Sequence, residues 1–126
     1  MNLVLVEDDD MLRKSLAYFL KNNGFHVFDF DNGEDAIHYI RDNHQTIQVI
    51  VTDLNLPFAG GKQVLFEAKG YDKIVKVVLT SLNVEANELE VFDLGADDFI
   101  SKPFSPQVLL KRIKKYLPSN PNVWNV

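Results

Sequence analysis

Carboxylates gather where a short apolar run stops. Leu3-Val4-Leu5-Val6 is followed at once by Glu7-Asp8-Asp9-Asp10, and a later apolar run ends in Thr52-Asp53-Leu54-Asn55-Leu56-Pro57. Taken alone, the four-acid run reads as a helix N-cap with favourable first-turn charge, worth about 0.3–1 kcal/mol. That accounts for Asp9 and Asp10. It does not account for Glu7 and Asp8, which come directly off the strand, or for Asp53, which would face them from a neighbouring strand. Two carboxylates about 4 Å apart repel by about 4 kcal/mol at an effective dielectric near 20, so such a cluster takes up protons or holds a cation. With no thiol or imidazole beside them, the fitting ion is Mg²⁺, which takes one or two carboxylates, keeps waters and accepts a phosphate oxygen.

Two more apolar runs end in Thr80-Ser81 and Ser101-Lys102-Pro103. Each is ordinary by itself, a hydroxyl in a local turn or a solvated cation. Three acids, a hydroxyl and a lysine at successive strand ends can instead hold a metal, a phosphoryl group and a compensating positive charge in one pocket. Lys102-Pro103 is a candidate cis peptide that would turn Lys102 inward, although only about 5–6% of X–Pro bonds are cis.

The elements that must position these residues are legible from spacing. Residues 3–6, 25–30, 47–51, 74–79 and 99–100 have strand character. Between them run helical spacings, such as Leu12, Leu16, Phe19 and Leu20 in the first and Leu109, Ile113, Tyr116 and Leu117 in the last. Gly24, Gly70 and Gly95 fall where a left-handed residue should end a helix, and Ser105-Pro106 should open the last one, serine accepting an orphan N–H. Strictly alternating strands and helices with short links force parallel pairing and right-handed crossovers. The expectation is a doubly wound five-stranded α/β domain with its ligand beyond the carboxyl ends of the strands.

Composition narrows the function. The chain has 126 residues, enough for one domain, with 46% hydrophobic and 25% charged residues, which excludes disorder as the default. Thirteen Lys and Arg stand against 18 Asp and Glu, a net charge of −5 and the wrong sign for direct nucleic-acid binding. No apolar stretch spans a bilayer and no secretory signal pattern is present, so the expected location is the cytoplasm. Zero cysteines, and no close pairing of His26, His38 and His44, exclude thiolate and helical zinc sites. Gly60-Gly61-Lys62 lacks the spacing of a phosphate loop and reads as a helix-initiating turn. Lys111-Arg112-Ile113-Lys114-Lys115 reads as a solvated helix face complementing the helix dipole, with a dimer contact to a partner's Asp97 or Asp98 as the second option.

In this order and spacing, the residues resemble the receiver domain of two-component response regulators. The likeness covers residues 1 to about 117: Glu7-Asp8, the strand into Asp53 with Leu56-Pro57 and Gly60-Gly61, Thr80-Ser81, and the string from Gly95 to Phe104. The resemblance implies a CheY-like, flavodoxin-like (βα)5 fold with strand order 2-1-3-4-5, and a signalling phosphoacceptor rather than an enzyme acting on external substrates. Asp53 would accept the phosphoryl group from a sensor histidine kinase or a small donor such as acetyl phosphate. Asp8, Asp53 and the Asn55 carbonyl would bind Mg²⁺, with Glu7 acting through a water. Thr80 and Lys102 would grip phosphoryl oxygens, and Phe99 would be the aromatic switch residue that responds as Thr80 moves. Leu82, two residues beyond Thr80, would shield the acyl phosphate from water.

Residues 118–126 would be tail or interdomain linker. The string from Gly95 through Pro106 is most similar to the winged-helix, OmpR/PhoB-like branch, whose members dimerise through the fourth helix, fifth strand and fifth helix; Glu88, Glu90 and Val108 depart from its usual charge pattern. Three other readings compete. A haloacid-dehalogenase-like phosphatase would want an acid where Asn55 stands, a flavodoxin-like electron carrier would meet repulsion between its flavin phosphate and Glu7 to Asp10, and a phosphorylation-independent interaction module would leave a filled site unused.

Overall fold

Each strand-like run becomes a parallel strand, and each periodic segment between them a helix. The computed structural model describes residues 1–81 and 85–118. Leu82 and residues 119–126, on which the shielding and linker expectations fall, lie outside the described residues. The order is β1 (Asn2–Val6), α1 (Asp10–Asn22), β2 (His26–Phe30), α2 (Gly33–Asn43), a 3-10 turn (His44–Thr46), β3 (Val49–Asp53), α3 (Gly61–Ala68), β4 (Val75–Thr80), α4 (Glu85–Asp93), β5 (Asp98–Ser101) and α5 (Pro106–Tyr116). The strands form one sheet in the order β2-β1-β3-β4-β5, the expected doubly wound arrangement.

β1, β3 and β4 carry apolar side chains on both faces because helices cover both. On one face Leu3, Leu5, Val51, Val77 and Leu79 pack against Leu16 and Leu20 of α1 and Leu109 and Ile113 of α5. On the other, Val4, Val6 and Ile50 meet Ala36 and Ile40 of α2 and Val64 and Ala68 of α3. Towards β5 that second face continues through Val78, Leu65 of α3 and Val91 of α4, with Phe99 packed at its margin.

Several boundaries depart from the sequence reading for definite reasons. β3 runs from Val49 to Asp53 rather than from residue 47 to 51, because Thr52 and Asp53 continue the ladder opposite Val6 and Leu79. Hydrogen bonding, not hydrophobicity, ends that strand. Gly24 and Gly95 take the left-handed conformation expected of them, φ 96° and 97°, but Gly70 does not, since Lys69 closes α3 in right-handed geometry. Ser105 is the N-cap of α5, yet its hydroxyl donates to Gln107 Oε1 at 2.8 Å instead of accepting a backbone N–H. Lys102–Pro103 is cis.

Leu109 has no solvent contact and anchors α5 on the face shared with α1. Leu109→Ala should lower unfolding stability by about 2–5 kcal/mol through lost burial and a residual cavity, measured by urea denaturation.

Candidate functional site

Glu7 leaves β1 one residue past its last ladder position and is fully buried. Burial of an ionised carboxylate is tolerated only when its polar atoms are met, and here all are. Its N–H donates to the Phe30 carbonyl at 3.0 Å, and its carbonyl accepts from Arg13 at 3.0 Å. Oε2 accepts the Asp9 N–H at 3.1 Å, and Oε1 accepts from Lys102 Nζ at 2.6 Å. Asp9 is also the N-cap of α1, accepting the Leu12 N–H at 3.0 Å.

Asp53 ends β3 between β1 and β4, and only 5% of it is exposed. Its Oδ1 accepts the Leu54 N–H at 2.8 Å and its Oδ2 lies 3.2 Å from Lys102 Nζ. Lys102, expected at the same edge, therefore spans both acids from the end of β5. Its main-chain N–H is held by the Thr80 carbonyl at 2.7 Å. Burial raises the Glu7 carboxyl above its ordinary range, while the Lys102 hydrogen bond and charge work against that rise. For Lys102, burial works against the ammonium, but the Glu7 hydrogen bond and the Asp53 charge outweigh it and hold its pKa above the ordinary value.

Asp8 stands beside this pair and is exposed. Glu7, Asp8 and Asp53 each offer a carboxylate oxygen within 4.8 Å of the others. An all-oxygen donor set of this kind, open on the Asp8 side, suits a small hard cation. Asn55 follows in the β3–α3 loop with its residue exposed. Thr80 is fully buried at the end of β4 beside Ser101, and Phe99 is half-buried opposite Val78. Strand alternation puts Thr80 and Phe99 on the face that α3 and α4 cover, with their rows two residues apart along the strands. Leu12, Ser81, Lys102, Pro103 and Phe104 line a recess of about 380 Å³ next to the acids. A recess of about 660 Å³ around His44 and Tyr71 lies at the opposite, amino edge of the sheet, away from all of these groups.

Three supporting residues escape a reading based on charge and periodicity. A Cβ on Gly61 would sit 2.2 Å from the Asp53 carbonyl oxygen, so α3 starts against the backbone of Asp53 only because the residue is glycine. A Cβ on Gly33 would sit 2.0 Å from the Ala59 carbonyl oxygen. There the N–H groups of Gly33 and Glu34 hold the Pro57 and Phe58 carbonyls at 3.2 and 2.6 Å, and the loop bends through left-handed Phe58 and Ala59. Arg13 is the third. Paired glycines in the sequence were a signal for the first; nothing local announces the other two. One last-helix cation finds a use within the chain, Arg112 pairing with Asp98 at 3.0 Å, and Asp97 accepts the main-chain N–H of Lys76 in β4 at 2.8 Å. Those carboxylates, set against a partner's cations in the sequence reading, are occupied at home.

Residues 3–114 match the family described as response regulator receiver domain. The chain belongs to that family. Among curated relatives of this receiver domain, Response regulator RR06 of Streptococcus pneumoniae is 38% identical over 114 residues, 90% of this chain and 52% of that protein. Transcriptional regulatory protein SrrA of Staphylococcus aureus is 33% identical over 115 residues, 91% of this chain and 47% of that protein. The chain thus spans about half the length of the curated relatives it matches. Among solved structures, the BeF3-activated N-terminal receiver domain of RstA from Klebsiella pneumoniae superposes with a TM-score of 0.82 at 28% identity, covering 92% of this chain and 97% of that one. A LuxR-family DNA-binding response regulator from S. aureus gives a TM-score of 0.83 at 26% identity, covering 91% of this chain and 97% of that one. The family is one of signalling switches and does not favour the phosphatase alternative. No helix among the described residues is long and apolar enough to cross a membrane.

Two outcomes follow from the geometry. Lys102→Met leaves Glu7 buried beside Asp53 without its cation, a loss of about 3 kcal/mol at neutral pH, the lower end for a broken buried pair because the Lys102 side chain keeps 21% of its exposure. A carboxyl whose pKa is raised in the fold contributes stability below its window and loses it as pH rises through that window, so the deficit should shrink at mildly acidic pH. Denaturant titrations at both pH values measure this. Gly61→Ala should destabilise by about 1–3 kcal/mol by overpacking and displace Asp53, seen as a shift of the Asp53 and Leu54 amide resonances.

Proposed function

We propose that Asp53 is the phosphoacceptor of this receiver. The observation that carries the reading is the position of its carboxylate: buried at the carboxyl edge, one oxygen held by the Leu54 N–H and the other beside Lys102, with the Glu7 and Asp8 oxygens close by. The donor is a phosphohistidine of a sensor histidine kinase, or a small acyl phosphate. Asp53 Oδ attacks phosphorus, the bond from phosphorus to the donor nitrogen or oxygen breaks, and the donor leaves with the electron pair of that bond. Such a transfer depends on positioning and on offsetting negative charge in an in-line transition state.

Asp8, Asp53 and the Asn55 carbonyl would hold Mg²⁺, with Glu7 acting through a water. When bound, that ion supplies positive charge to the phosphoryl oxygens and neutralises the acids around them. Lys102 Nζ moves from its contact with Asp53 onto a phosphoryl oxygen while keeping Glu7, which holds the amine at the pocket. The Thr80 hydroxyl donates to a second oxygen. As Thr80 turns towards the phosphoryl group, Phe99, on the same face one strand over, repacks against α4.

The output surface is then the face formed by α4, β5 and α5, where Leu89 and Val108 are exposed and where a second copy of the domain would dock. Residues 1–117 form the receiver, and 118–126 begin a linker. A relative named a transcriptional regulatory protein and a similar structure titled a DNA-binding response regulator support an output in which a segment outside this domain makes the contact with DNA. This domain, with net charge −5, makes no direct one. It works in the cytoplasm and does not turn over external substrates.

Incubation with Mg²⁺ and acetyl phosphate or phosphoramidate should add the mass of one phosphoryl group to the intact protein, and Asp53→Asn should remove the adduct. A full adduct on Asp53→Asn would assign the chemistry to another residue.

A further inference from the structure

Arg13 lies in the first turns of α1 and is 9% exposed, a rare place for an arginine unless its donors are met. Its Nη1 donates to the Glu7 carbonyl at 3.0 Å, its Nη2 to Asp10 Oδ1 at 2.7 Å, and its Nε to Asp29 Oδ2 at 3.2 Å. The three acceptors belong to the end of β1, the first turn of α1 and β2. Pairing of β1 with its neighbours stops at Val6, so the buried Glu7 carbonyl has left the ladder and takes its hydrogen bond from Arg13 instead.

That carbonyl belongs to the same rigid peptide plane as the Asp8 N–H. A guanidinium that fixes the oxygen of the plane fixes the direction in which Asp8 leaves the strand. Asp8 is the exposed member of the acid group. A small octahedral cation tolerates little displacement of its ligands, so the orientation of this plane bears directly on affinity.

We propose that Arg13 is a positioning residue for divalent-cation binding: it clamps the Glu7–Asp8 peptide between β1, α1 and β2 and thereby holds the Asp8 carboxylate beside Asp53. The inference rests on the reading of Glu7, Asp8 and Asp53 as the Mg²⁺ site. Its sign is informative. As a charge, Arg13 repels a cation, so its removal would tighten binding; as a clamp, its removal loosens binding. Asp10 and Asp29, both in contact with the guanidinium, offset its charge and leave the clamp as the larger effect. Lysine does not replace it, because a single ammonium lacks the planar fork that reaches three acceptors in different directions.

The test is calorimetric titration of Mg²⁺ alone into the 126-residue protein and its variants, with thermal melts alongside. Arg13→Gln should bind Mg²⁺ about tenfold more weakly, as for other residues that orient metal ligands. Arg13→Lys, which keeps the charge but not the fork, should be at least as weak, and Asp29→Asn should weaken binding by a smaller factor. Unchanged or tighter binding in folded Arg13→Gln overturns the proposal, as does full recovery in Arg13→Lys, which would show that the planar three-acceptor fork is not needed. If Arg13→Gln does not fold, Arg13→Lys and Asp29→Asn decide: parent-like affinity in both overturns it. A purely structural role would lower the melting temperature while leaving the affinity of the folded protein unchanged. Asp8→Asn separates the two layers, since undiminished Mg²⁺ binding in that variant overturns the metal site itself, whatever Arg13 does.

Discussion

The organising constraint is one buried carboxylate. Glu7 has no solvent contact, and a charge in that position survives only with every polar atom partnered. Its partners come from four places: the end of β2, the first turn of α1, the N-cap at Asp9, and Lys102 at the end of β5. The last of these joins residues 95 positions apart and reaches past the ends of β3 and β4, because β1 and β5 are not neighbours in the sheet. Buried ion pairs in general are often replaceable by hydrophobic residues of similar volume without loss of stability. The charges make sense as part of a site that handles other charges.

That constraint explains the tight construction around Asp53. The start of α3 approaches its backbone through Gly61, and the loop between them is pinned to the N-terminus of α2 at the Pro57 and Phe58 carbonyls. The loop bends through two non-glycine residues in left-handed geometry, a conformation held by its surroundings rather than by local preference. The carboxyl edge is therefore tied by close backbone contacts and hydrogen bonds on its β1 and β3 sides. Its β4 and β5 side is different in kind: Thr80 and Phe99 face α3 and α4, while Asp98 on the opposite face ties β5 to α5 through Arg112.

Much of this was legible in the chain. Apolar runs separated by helical spacing dictated parallel pairing, and with it a carboxyl edge where Asp53, Thr80, Lys102 and the acids after β1 had to meet. Motif order then pointed to the receiver family. Strand ends were less legible, because Thr52 and Asp53 are polar and only their ladder partners keep them in β3. Ser105 was read as a side-chain cap from a local preference that a hydrogen bond to Gln107 overrode.

What the sequence determined by itself was therefore which residue types arrive at which strand end, since alternation and chain connectivity leave few topologies open. What only the tertiary structure decided was how those residues are held. That Glu7 is wholly buried, that Lys102 grips it, that Arg13 bonds its carbonyl and that Gly61 and Gly33 admit close backbone approach all depend on distances between segments far apart in the chain. Local sequence carries no record of such distances, because a buried charge and a solvated one are spelled with the same residue, and only the packing around it sets its energy.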